Sequence, residues 1–258
     1  MTDPSFARDL YRGTADAYDR FRLRYPPAMT EDLLARIRPS GRERLLDLAC
    51  GTGQLTFPLR RAFAEIWAVD QEPDMIRLVR AKAGDAPIRT IVAGAEGLYA
   101  EPDAFELIVV GNAFHRLRRA VVATRMLAWL RPGGHAALCW SHSPWTGDLE
   151  WQRAVAEVLD RRRVPGRVPA DWDAARRAKP DLNVLAEAGF QPLGRYEFSV
   201  AHRWTATELA GYASATSDLA AVAGLDADLG RAIEPYQRDG RVGADVSFAY
   251  DLVGKPAG

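Results

Sequence analysis

The sequence has no excess of charge of either sign, because 34 lysines and arginines balance 34 aspartates and glutamates among its 258 residues. A neutral chain creates no long-range field that would draw it onto nucleic acid or onto an anionic membrane. No apolar run approaches the roughly 18 residues that a membrane-spanning helix requires. These absences predict a protein with neither a nucleic acid nor a membrane as its partner.

Cysteine is scarce as well, with only Cys50 and Cys139 in the chain. Two residues so far apart form neither a disulfide framework nor a metal-binding motif. Histidines and carboxylates also do not pair at the spacing of metal ligands, so we expect no metal. Asp3 and Asp9 stand where a signal peptide would carry basic residues and then an apolar segment. We therefore expect a cytoplasmic protein with reduced thiols.

From Arg44 onward, short apolar runs alternate with amphipathic helical patterns. Strands that are too apolar to have a solvated face indicate a parallel sheet covered by helices on both sides. The predicted fold class is therefore α/β, with a doubly wound sheet. The predicted strands are Leu45–Leu48, Ile66–Val69, Ile88–Val92, Leu107–Val110, Ala136–Cys139, Leu193–Val200 and Val246–Val253. The predicted helices are Ala28–Ile37, Gln54–Phe63, Pro73–Ala83, Arg118–Leu130, Leu149–Arg161, Leu182–Ala188, Thr205–Gly224 and Leu225–Tyr236.

A glycine-rich turn follows the first predicted strand, which ends at Asp47 and leads through Gly51 and Gly53 into a helix. Glycines at this point let a ligand touch bare backbone, and the carboxyl ends of strands are where open α/β sheets bind ligands. A dinucleotide fingerprint would require a third glycine where this chain has Thr56. A carboxylate at Asp47 would also repel a pyrophosphate, whereas it would attract a ligand that carries a cationic amino group. A plain tight turn is the remaining alternative.

The segment from Asp47 to Gly53 resembles the first motif of the class I S-adenosylmethionine-dependent methyltransferases, an acidic residue followed by G-x-G-x-G. Ala49 stands in place of the first glycine of that motif. The resemblance implies that Asp47, Ala49, Gly51 and Gly53 hold the methionine part of S-adenosylmethionine.

Further motifs of the same family follow in order along the chain. Asp70 ends the second predicted strand and is expected to bind both ribose hydroxyls, a device that NAD enzymes share. A charge at a helix N-terminus is the alternative for Asp70. The resemblance places Gln71 and Met75 at the cofactor, Met75 against the adenine. Ala95 and Glu96 match the adenine-edge loop, in which Gly94 replaces the usual aspartate.

The fourth predicted strand begins F-E-L-I-V-V and leads to Asn112 and His115, which is similar to the family's fourth motif. Leu130-Arg-Pro-Gly-Gly134 then precedes strand five, again as in the family. Near the N-terminus, Tyr18-Asp-Arg-Phe-Arg-Leu-Arg-Tyr-Pro26 resembles an element of the trans-aconitate methyltransferase-like branch. The resemblance implies that Asn112, Tyr18 and Arg22 contact the cofactor, with Arg22 on the methionine carboxylate. A surface helix with extended arginines is the alternative for that element.

His115 is the best candidate for a general base among the four histidines, because it lies just past strand four and its ordinary pKa suits proton transfer. A structural histidine is the competing interpretation. The acceptor site is expected to be apolar or aromatic, with core packing as the alternative for each residue. Its candidate residues are Phe114, Trp140, His142, Trp145 and Trp204.

Together these patterns predict a single domain with a seven-stranded Rossmann-like sheet, mostly parallel with the last strand antiparallel, and helical lid insertions. Residues 1–40 form an N-terminal cover, 41–140 the cofactor core, 141–180 and 203–240 the acceptor lid, and 181–202 with 241–258 the remaining sheet. We expect methyl transfer from S-adenosylmethionine to a small-molecule acceptor, leaving S-adenosylhomocysteine. The alternatives are a nicotinamide-dependent oxidoreductase, a non-catalytic cofactor-binding protein on this scaffold and a nucleic-acid methyltransferase. Neither the oligomeric state, the acceptor nor the methylated atom can be read from the sequence.

Overall fold

The computed structural model describes residue 6 and residues 9–163, 172–215 and 223–257. Within the predicted lid segments, residues 164–171 and 216–222 lie outside the described residues, as do residues 1–5 and 7–8 of the predicted cover and residue 258. The strands are β1 Arg44–Leu48, β2 Glu65–Asp70, β3 Ile88–Val92, β4 Phe105–Gly111, β5 Leu130–Ser141, β6 Gln191–Trp204 and β7 Val242–Gly254. The helices are α1 Ala15–Phe21, α2 Pro27–Ile37, α3 Thr56–Leu59, α4 Pro73–Ala83, α5 Arg119–Trp129, α6 Glu150–Arg162, α7 Trp172–Ala178, α8 Asp181–Glu187, α9 Ala206–Ser214 and α10 Leu225–Ile233.

All seven strands form one sheet in the order β3-β2-β1-β4-β5-β7-β6. Strands β1 to β5 pair in parallel, and β7 runs antiparallel to both β5 and β6. The sheet therefore confirms the predicted α/β class, including the single antiparallel strand at the end of the chain. The strand order reverses between β1 and β4, which creates the crevice where open α/β sheets bind ligands.

Helices cover both faces of the sheet, as the apolar strands require. On one face, α2, α6 and α10 pack their apolar sides around residues such as Leu33, Val155 and Leu229, all of which are buried. On the other face, α5 and α8 bury residues such as Met126 and Leu185. Burial of this apolar surface is the main stabilising contribution to such a fold.

Local sequence signals explain several helix boundaries. Pro27 and Pro73 occupy the first positions of α2 and α4, where proline's fixed φ suits the helix and its missing N–H is not needed. Thr205 and Glu208 form a capping box at the start of α9. Within the described residues, no helix is long and apolar enough to cross a membrane.

Two helix predictions were wrong in extent. The predicted helix Gln54–Phe63 is only the four residues of α3 followed by a 3₁₀ turn, Arg60–Ala62. The turn through Gly53 extends as far as Leu55, and Phe63 returns to extended backbone before β2, so little chain remains for a helix. The predicted helix Thr205–Gly224 ends at Ser214 in α9, and its later part falls on residues 216–222, outside the described part of the chain.

Candidate active site

The turn after β1 depends on left-handed backbone at three alternate positions. Ala49, Gly51 and Gly53 have φ of +58°, +54° and +87°. A Cβ atom added at Gly53 would lie 2.5 Å from the ring of Phe57, so a side chain has no room there. Ala49 adopts the strained conformation at a cost of about 1–2 kcal/mol. The turn thus exposes bare backbone at the carboxyl edge of the sheet.

Asp70, the last residue of β2, ties this turn to the next loop. One carboxylate oxygen accepts a hydrogen bond from the backbone N–H of Gly51 at 2.8 Å, and the other accepts from the N–H of Glu72 at 2.9 Å. Burial raises the pKa of Asp70 above its ordinary value. The bond to Glu72, which precedes α4, shows that the carboxylate also serves the helix start. Each oxygen retains a lone pair for a further hydrogen-bond donor.

A main pocket opens at the tips of β1, β2 and β4 and receives eight of the twelve predicted cofactor residues. Asp70 and the turn form its floor, and Tyr18 from α1 closes it from above. The eight residues are Tyr18, Ala49, Gly51, Asp70, Gln71, Met75, Ala95 and Asn112. Residues distant in the sequence therefore converge on one cavity at the topological switch point.

An inner pocket adjoins the main pocket and shares Tyr18, Ala49, Gly111 and Asn112 with it. It receives two more of the predicted residues, Asp47 and Arg22. The ten predicted residues that line the two pockets therefore form one continuous site.

Asp47 is almost completely buried at the inner pocket, with 1% of its surface exposed. The hydroxyl of Thr56 donates a hydrogen bond to its carboxylate at 2.5 Å. Burial raises the pKa of Asp47 to about 7, although the bond from Thr56 opposes that shift. A cation bound beside Asp47 would lower its pKa again and gain a strong electrostatic partner.

Arg22 enters the inner pocket between two aromatic rings. Its guanidinium carbon lies 5.3 Å from the ring centroid of Tyr18 and 4.6 Å from that of Tyr212. Stacking of this kind favours a desolvated cation, which keeps its donors for an anionic group. This geometry suits the predicted contact with a carboxylate better than the alternative of a solvated surface arginine.

Part of the predicted N-terminal cover, residues 10–21, contributes Tyr11 and Tyr18 to the main pocket and is held by several contacts. Lys82 on α4 donates to Asp19 of the cover at 2.7 Å and to the backbone carbonyl of Thr52 at 2.5 Å. The guanidinium of Arg116 lies 4.8 Å from the ring centroid of Tyr11. This segment therefore lies beside the main pocket and is linked to the glycine-rich turn through Lys82.

Two predicted cofactor residues lie outside both pockets. Glu96 accepts a hydrogen bond from the backbone N–H of Arg118 at 2.9 Å, at the start of α5. Its carboxylate thus stabilises a helix N-terminus, and its contact with the adenine stays a prediction. Gly53 serves the turn itself, because its place is fixed by the ring of Phe57.

The structure does not support His115 as a general base. Burial lowers its pKa to about 3, and the positive charges of Arg176 and Arg119 act in the same direction. Its Nε2 atom accepts a hydrogen bond from Arg116 Nε at 3.2 Å, which occupies the one lone pair of a neutral imidazole. The ring stacks on Trp140 at 5.8 Å. This environment favours the competing interpretation of a structural histidine, and the role as a base stays a prediction.

The predicted acceptor residues do not gather at the two pockets. Phe114 is completely buried in the core, so it cannot touch an acceptor. Trp140 donates its indole N–H to Asp251 at 3.1 Å, and Trp145 packs edge-on against Tyr212 at 5.4 Å. His142 is exposed beyond the end of β5. Trp204 lines an outer groove beside the inner pocket.

Sequence reasoning missed several residues of the site. Glu72 lines the main pocket with 6% of its surface exposed, and burial together with the charge of Asp70 raises its pKa. Gln54 lines the inner pocket, where its buried amide nitrogen has no hydrogen-bond partner among the described residues. Its position directly after the glycines of the turn was a usable signal. Nothing in the sequence pointed to Tyr11 and Arg116 as site residues, because only the folded chain brings the cover against the turn before α5.

S-adenosylmethionine fits the donor set of these pockets. Asp47, Asp70 and Glu72 are buried acids whose pKa values are all raised by burial, so a cationic ligand is favoured there. The cofactor carries an ammonium and a sulfonium but no phosphate. Gln54 and Arg22 place donors in the inner pocket for its carboxylate. A dinucleotide would instead bring a pyrophosphate to three acids.

Comparison with known proteins gives the same assignment. A family profile described as "Methyltransferase domain" matches residues 45–134. An uncharacterised methyltransferase of Mycobacterium tuberculosis is 32% identical over 153 residues, which cover 58% of this chain and 59% of the relative. A trans-aconitate 2-methyltransferase of Pseudomonas aeruginosa is 34% identical over 192 residues, which cover 69% of this chain and 66% of the relative. The chain thus spans about three fifths of the length of the mycobacterial relative.

Solved structures show the same fold. A candidate type II methyltransferase from Anaeromyxobacter dehalogenans superimposes with a TM-score of 0.66 at 22% identity, covering 92% of this chain and 98% of that one. The comparisons give no support to the nicotinamide-dependent oxidoreductase. With its site geometry, its ordered motifs and these relatives, the chain belongs to the class I S-adenosylmethionine-dependent methyltransferase family.

Proposed function

We propose that this chain transfers a methyl group from S-adenosylmethionine to a small-molecule acceptor and releases S-adenosylhomocysteine. The observation that carries the proposal is the continuous site formed by the main and inner pockets. Each pocket holds a buried acid, Asp70 in the main pocket and Asp47 in the inner one. That arrangement matches a ligand that presents ribose hydroxyls to one acid and a cationic amino group to the other.

The main pocket has residues suited to the ribose and the adenine, and the inner pocket has residues suited to the methionine groups. Asp70 and Gln71 would accept and donate hydrogen bonds at the ribose, with Met75 and Ala95 as the apolar walls around the adenine. Asp47 would receive the ammonium group, and Arg22 and Gln54 the carboxylate. Asn112 lines both pockets with its left-handed backbone, while its side chain amide donates to Ser141 at 2.6 Å.

When bound, S-adenosylmethionine supplies a methyl group already activated by the sulfonium. The chain's own task is then to place the acceptor in line and to exclude water, and such orientation can supply roughly 7–11 kcal/mol of barrier reduction. Tyr11 and Tyr18 of the cover line the main pocket and would shield a bound cofactor from water. Because His115 is neutral and hydrogen-bonded through Nε2, we assign no protein base to the reaction.

A small acceptor and a cytoplasmic location complete the proposal. The zero net charge provides no field for a polyanionic nucleic acid. Both cysteines are free and buried, which suits a reducing compartment. The named Pseudomonas relative acts on trans-aconitate, which is itself a small molecule.

Calorimetric titration with S-adenosylmethionine, S-adenosylhomocysteine and NADH tests the cofactor. We expect heat from the first two and none from NADH. Asp70→Asn should weaken S-adenosylhomocysteine binding at least tenfold, because a neutral amide loses a charge-assisted contact. Asp85→Asn, which changes an exposed acid in the turn after α4, is the matched control and should bind like the wild type. Binding of NADH in place of S-adenosylhomocysteine would overturn the proposal.

A second measurement tests transfer itself, by detecting S-adenosylhomocysteine released with a panel of small hydroxy, carboxylic and amino compounds. Turnover with any of them supports an enzyme. Tight cofactor binding with no turnover across such a panel would instead favour a non-catalytic cofactor-binding protein on this scaffold.

A further inference from the structure

An outer groove of about 490 Å³ lies beside the inner pocket. It is bounded on one side by residues 20–27, which leave α1 and enter α2, and on the other by β6 and β7. Nine of its fourteen lining residues are apolar: Phe21, Leu23, Tyr25, Pro26, Pro27, Val200, Trp204, Val246 and Phe248. A concave, mostly apolar lining with a few polar groups is typical of a small-molecule site.

The groove opens at the carboxyl edge of the sheet, on the same side as the cofactor site. Phe248 pairs with Ser141 at the end of β5, and Val246 pairs with Val200 beyond it. Arg22, Leu23 and Tyr25 line both the groove and the inner pocket. A ligand in the groove therefore lies next to the methionine end of the cofactor site, where a methyl acceptor has to approach.

Tyr25 forms the partition between the two cavities. Its hydroxyl donates to the carbonyl of Cys139 at 3.4 Å, near the end of β5. A Cβ atom added at Gly111, at the end of β4, would lie 3.0 Å from the same hydroxyl. The ring is thus fixed directly over the tips of β4 and β5, with one cavity on each side.

The polar part of the groove is positively charged. Arg20, Arg22, Arg24 and His202 line it, whereas Glu208 is its only acid among the described residues. The carboxylate of Glu208 already accepts hydrogen bonds from Arg241 at 2.9 Å and from the N–H of Thr205 at 2.8 Å. The groove is therefore complementary to an anion rather than to an amine.

We propose that this groove binds the methyl acceptor, and that the acceptor is an amphipathic organic anion with an apolar body. The aromatic and aliphatic walls would bury the body at roughly 25 cal/mol per Å² of apolar surface, and Arg20 and Arg24, which do not line the inner pocket, would bind the anion. This inference rests on the proposed methyltransferase function, since it identifies the groove by its junction with the cofactor site.

The test uses 8-anilinonaphthalene-1-sulfonate as a probe, because it combines a flat apolar body with one anionic group and fluoresces when buried. Titrations are made with S-adenosylhomocysteine at saturation, so that the cofactor pockets are filled. Val200→Trp places an indole in the groove from a position that is 38% exposed, and should weaken probe binding at least tenfold. Leu193→Trp, on the same strand but outside the groove, should bind the probe like the wild type.

The anion is tested by Arg24→Met, with Arg60→Met as the control on the exposed 3₁₀ turn. Arg24→Met should weaken binding of the sulfonate probe at least threefold. The affinity for the uncharged analogue N-phenyl-1-naphthylamine should stay within twofold of the wild-type value. Unchanged probe affinity in Val200→Trp would overturn the groove as the site. Equal loss of both probes in Arg24→Met, or loss of neither, would overturn the anionic class.

These outcomes are separable from failure of the proposed function. Affinity for S-adenosylhomocysteine is measured in each variant and should stay within twofold of the wild type in Val200→Trp and Arg24→Met. If Val200→Trp binds both the cofactor and the probe as the wild type does, the groove inference alone is overturned. Absence of cofactor binding in the wild type removes the function on which it rests.

Discussion

Thr56 donates its hydroxyl hydrogen to the carboxylate of Asp47 at 2.5 Å, across the glycine-rich turn that separates them in the chain. Both side chains are buried, with no more than 1% of either residue exposed. In the sequence, these two residues disfavoured a dinucleotide-binding site, and in the fold they are hydrogen-bonded to each other. The bond fixes the acid at the inner pocket and makes a third glycine unnecessary at residue 56.

Asp47→Asn should stabilise the empty protein at pH 8 and weaken the cofactor. The folded pKa of about 7 lies above the unfolded value of roughly 3.9, so the folded chain retains a proton between those values. The free energy of unfolding of the wild type therefore falls as pH rises from about 4 to 7. Asparagine carries no charge, so it removes this loss of unfolding free energy, and its amide oxygen still accepts the hydrogen bond from Thr56. We expect a gain on the order of 2–4 kcal/mol at pH 8 and little change near pH 4.

Urea unfolding of the empty protein at both pH values measures this difference. Asp85→Asn is the control, since an exposed carboxyl should give no pH-dependent gain. Calorimetry at pH 8 should show at least tenfold weaker S-adenosylhomocysteine binding in Asp47→Asn. Equal stability of wild type and Asp47→Asn at pH 8 would contradict a raised pKa.

Ala49→Gly should stabilise the protein by about 0.5–1 kcal/mol. Relief of left-handed strain at φ +58° contributes about 1–2 kcal/mol, and the added freedom of the unfolded chain offsets about 0.4–1 kcal/mol of it. Ala64→Gly, at an exposed position without positive φ, should instead destabilise. Chemical denaturation measures the change in the free energy of unfolding of each variant. A change of the same sign in both variants would refute the role of the positive φ at Ala49.

His115→Gln should reduce turnover less than threefold, because the ring is neutral at physiological pH and its lone pair is engaged by Arg116. Loss of a general base costs roughly 10²–10⁴-fold. The measurement is S-adenosylhomocysteine release from pH 5.5 to 8.5, once an acceptor is in hand. A hundredfold loss, or a wild-type rate that rises through pH 6.5 and is flat in His115→Gln, would restore the base assignment.

Lys82→Met should release the N-terminal cover and raise the dissociation rate of S-adenosylhomocysteine about fivefold. Lys82 is the only residue that binds both Asp19 of the cover and the Thr52 carbonyl among the contacts the structure describes. The loss of roughly 1 kcal/mol expected for a half-exposed ion pair corresponds to about that factor. Stopped-flow displacement measures the dissociation rate, and Lys82→Arg should return this rate close to the wild-type value. Lys179→Met removes an exposed pair with Glu187 and should leave the rate unchanged.

Much of the fold could be predicted because the strands are nearly continuous apolar runs. Strand β4, Phe105–Gly111, is buried along six of its seven residues, and such a run fits only a sheet covered on both faces. The length of α3 was overestimated, because the apolar spacing after Gly53 looks helical although the turn includes the first residues of the predicted helix.

The cofactor site was more predictable than the acceptor site for a physical reason. Turn glycines and strand-end acids such as Asp70 act near their own position in the chain, so sequence spacing locates them. The aromatic candidates depend on tertiary packing, which buried Phe114 in the core and turned Trp140 toward Asp251. The arginines of the outer groove became visible only when residues 20–27 were placed against β6 and β7.

One segment, residues 18–25, supplies walls to the main pocket, the inner pocket and the outer groove through Tyr18, Arg22 and Tyr25. Under the proposed function, a cofactor beneath this segment would enter or leave only when the segment moves aside, and an acceptor in the groove would hold the segment in place. We therefore expect a compulsory kinetic order in which S-adenosylmethionine binds first and S-adenosylhomocysteine leaves last. Steady-state inhibition by S-adenosylhomocysteine should accordingly be competitive with S-adenosylmethionine and noncompetitive with the acceptor.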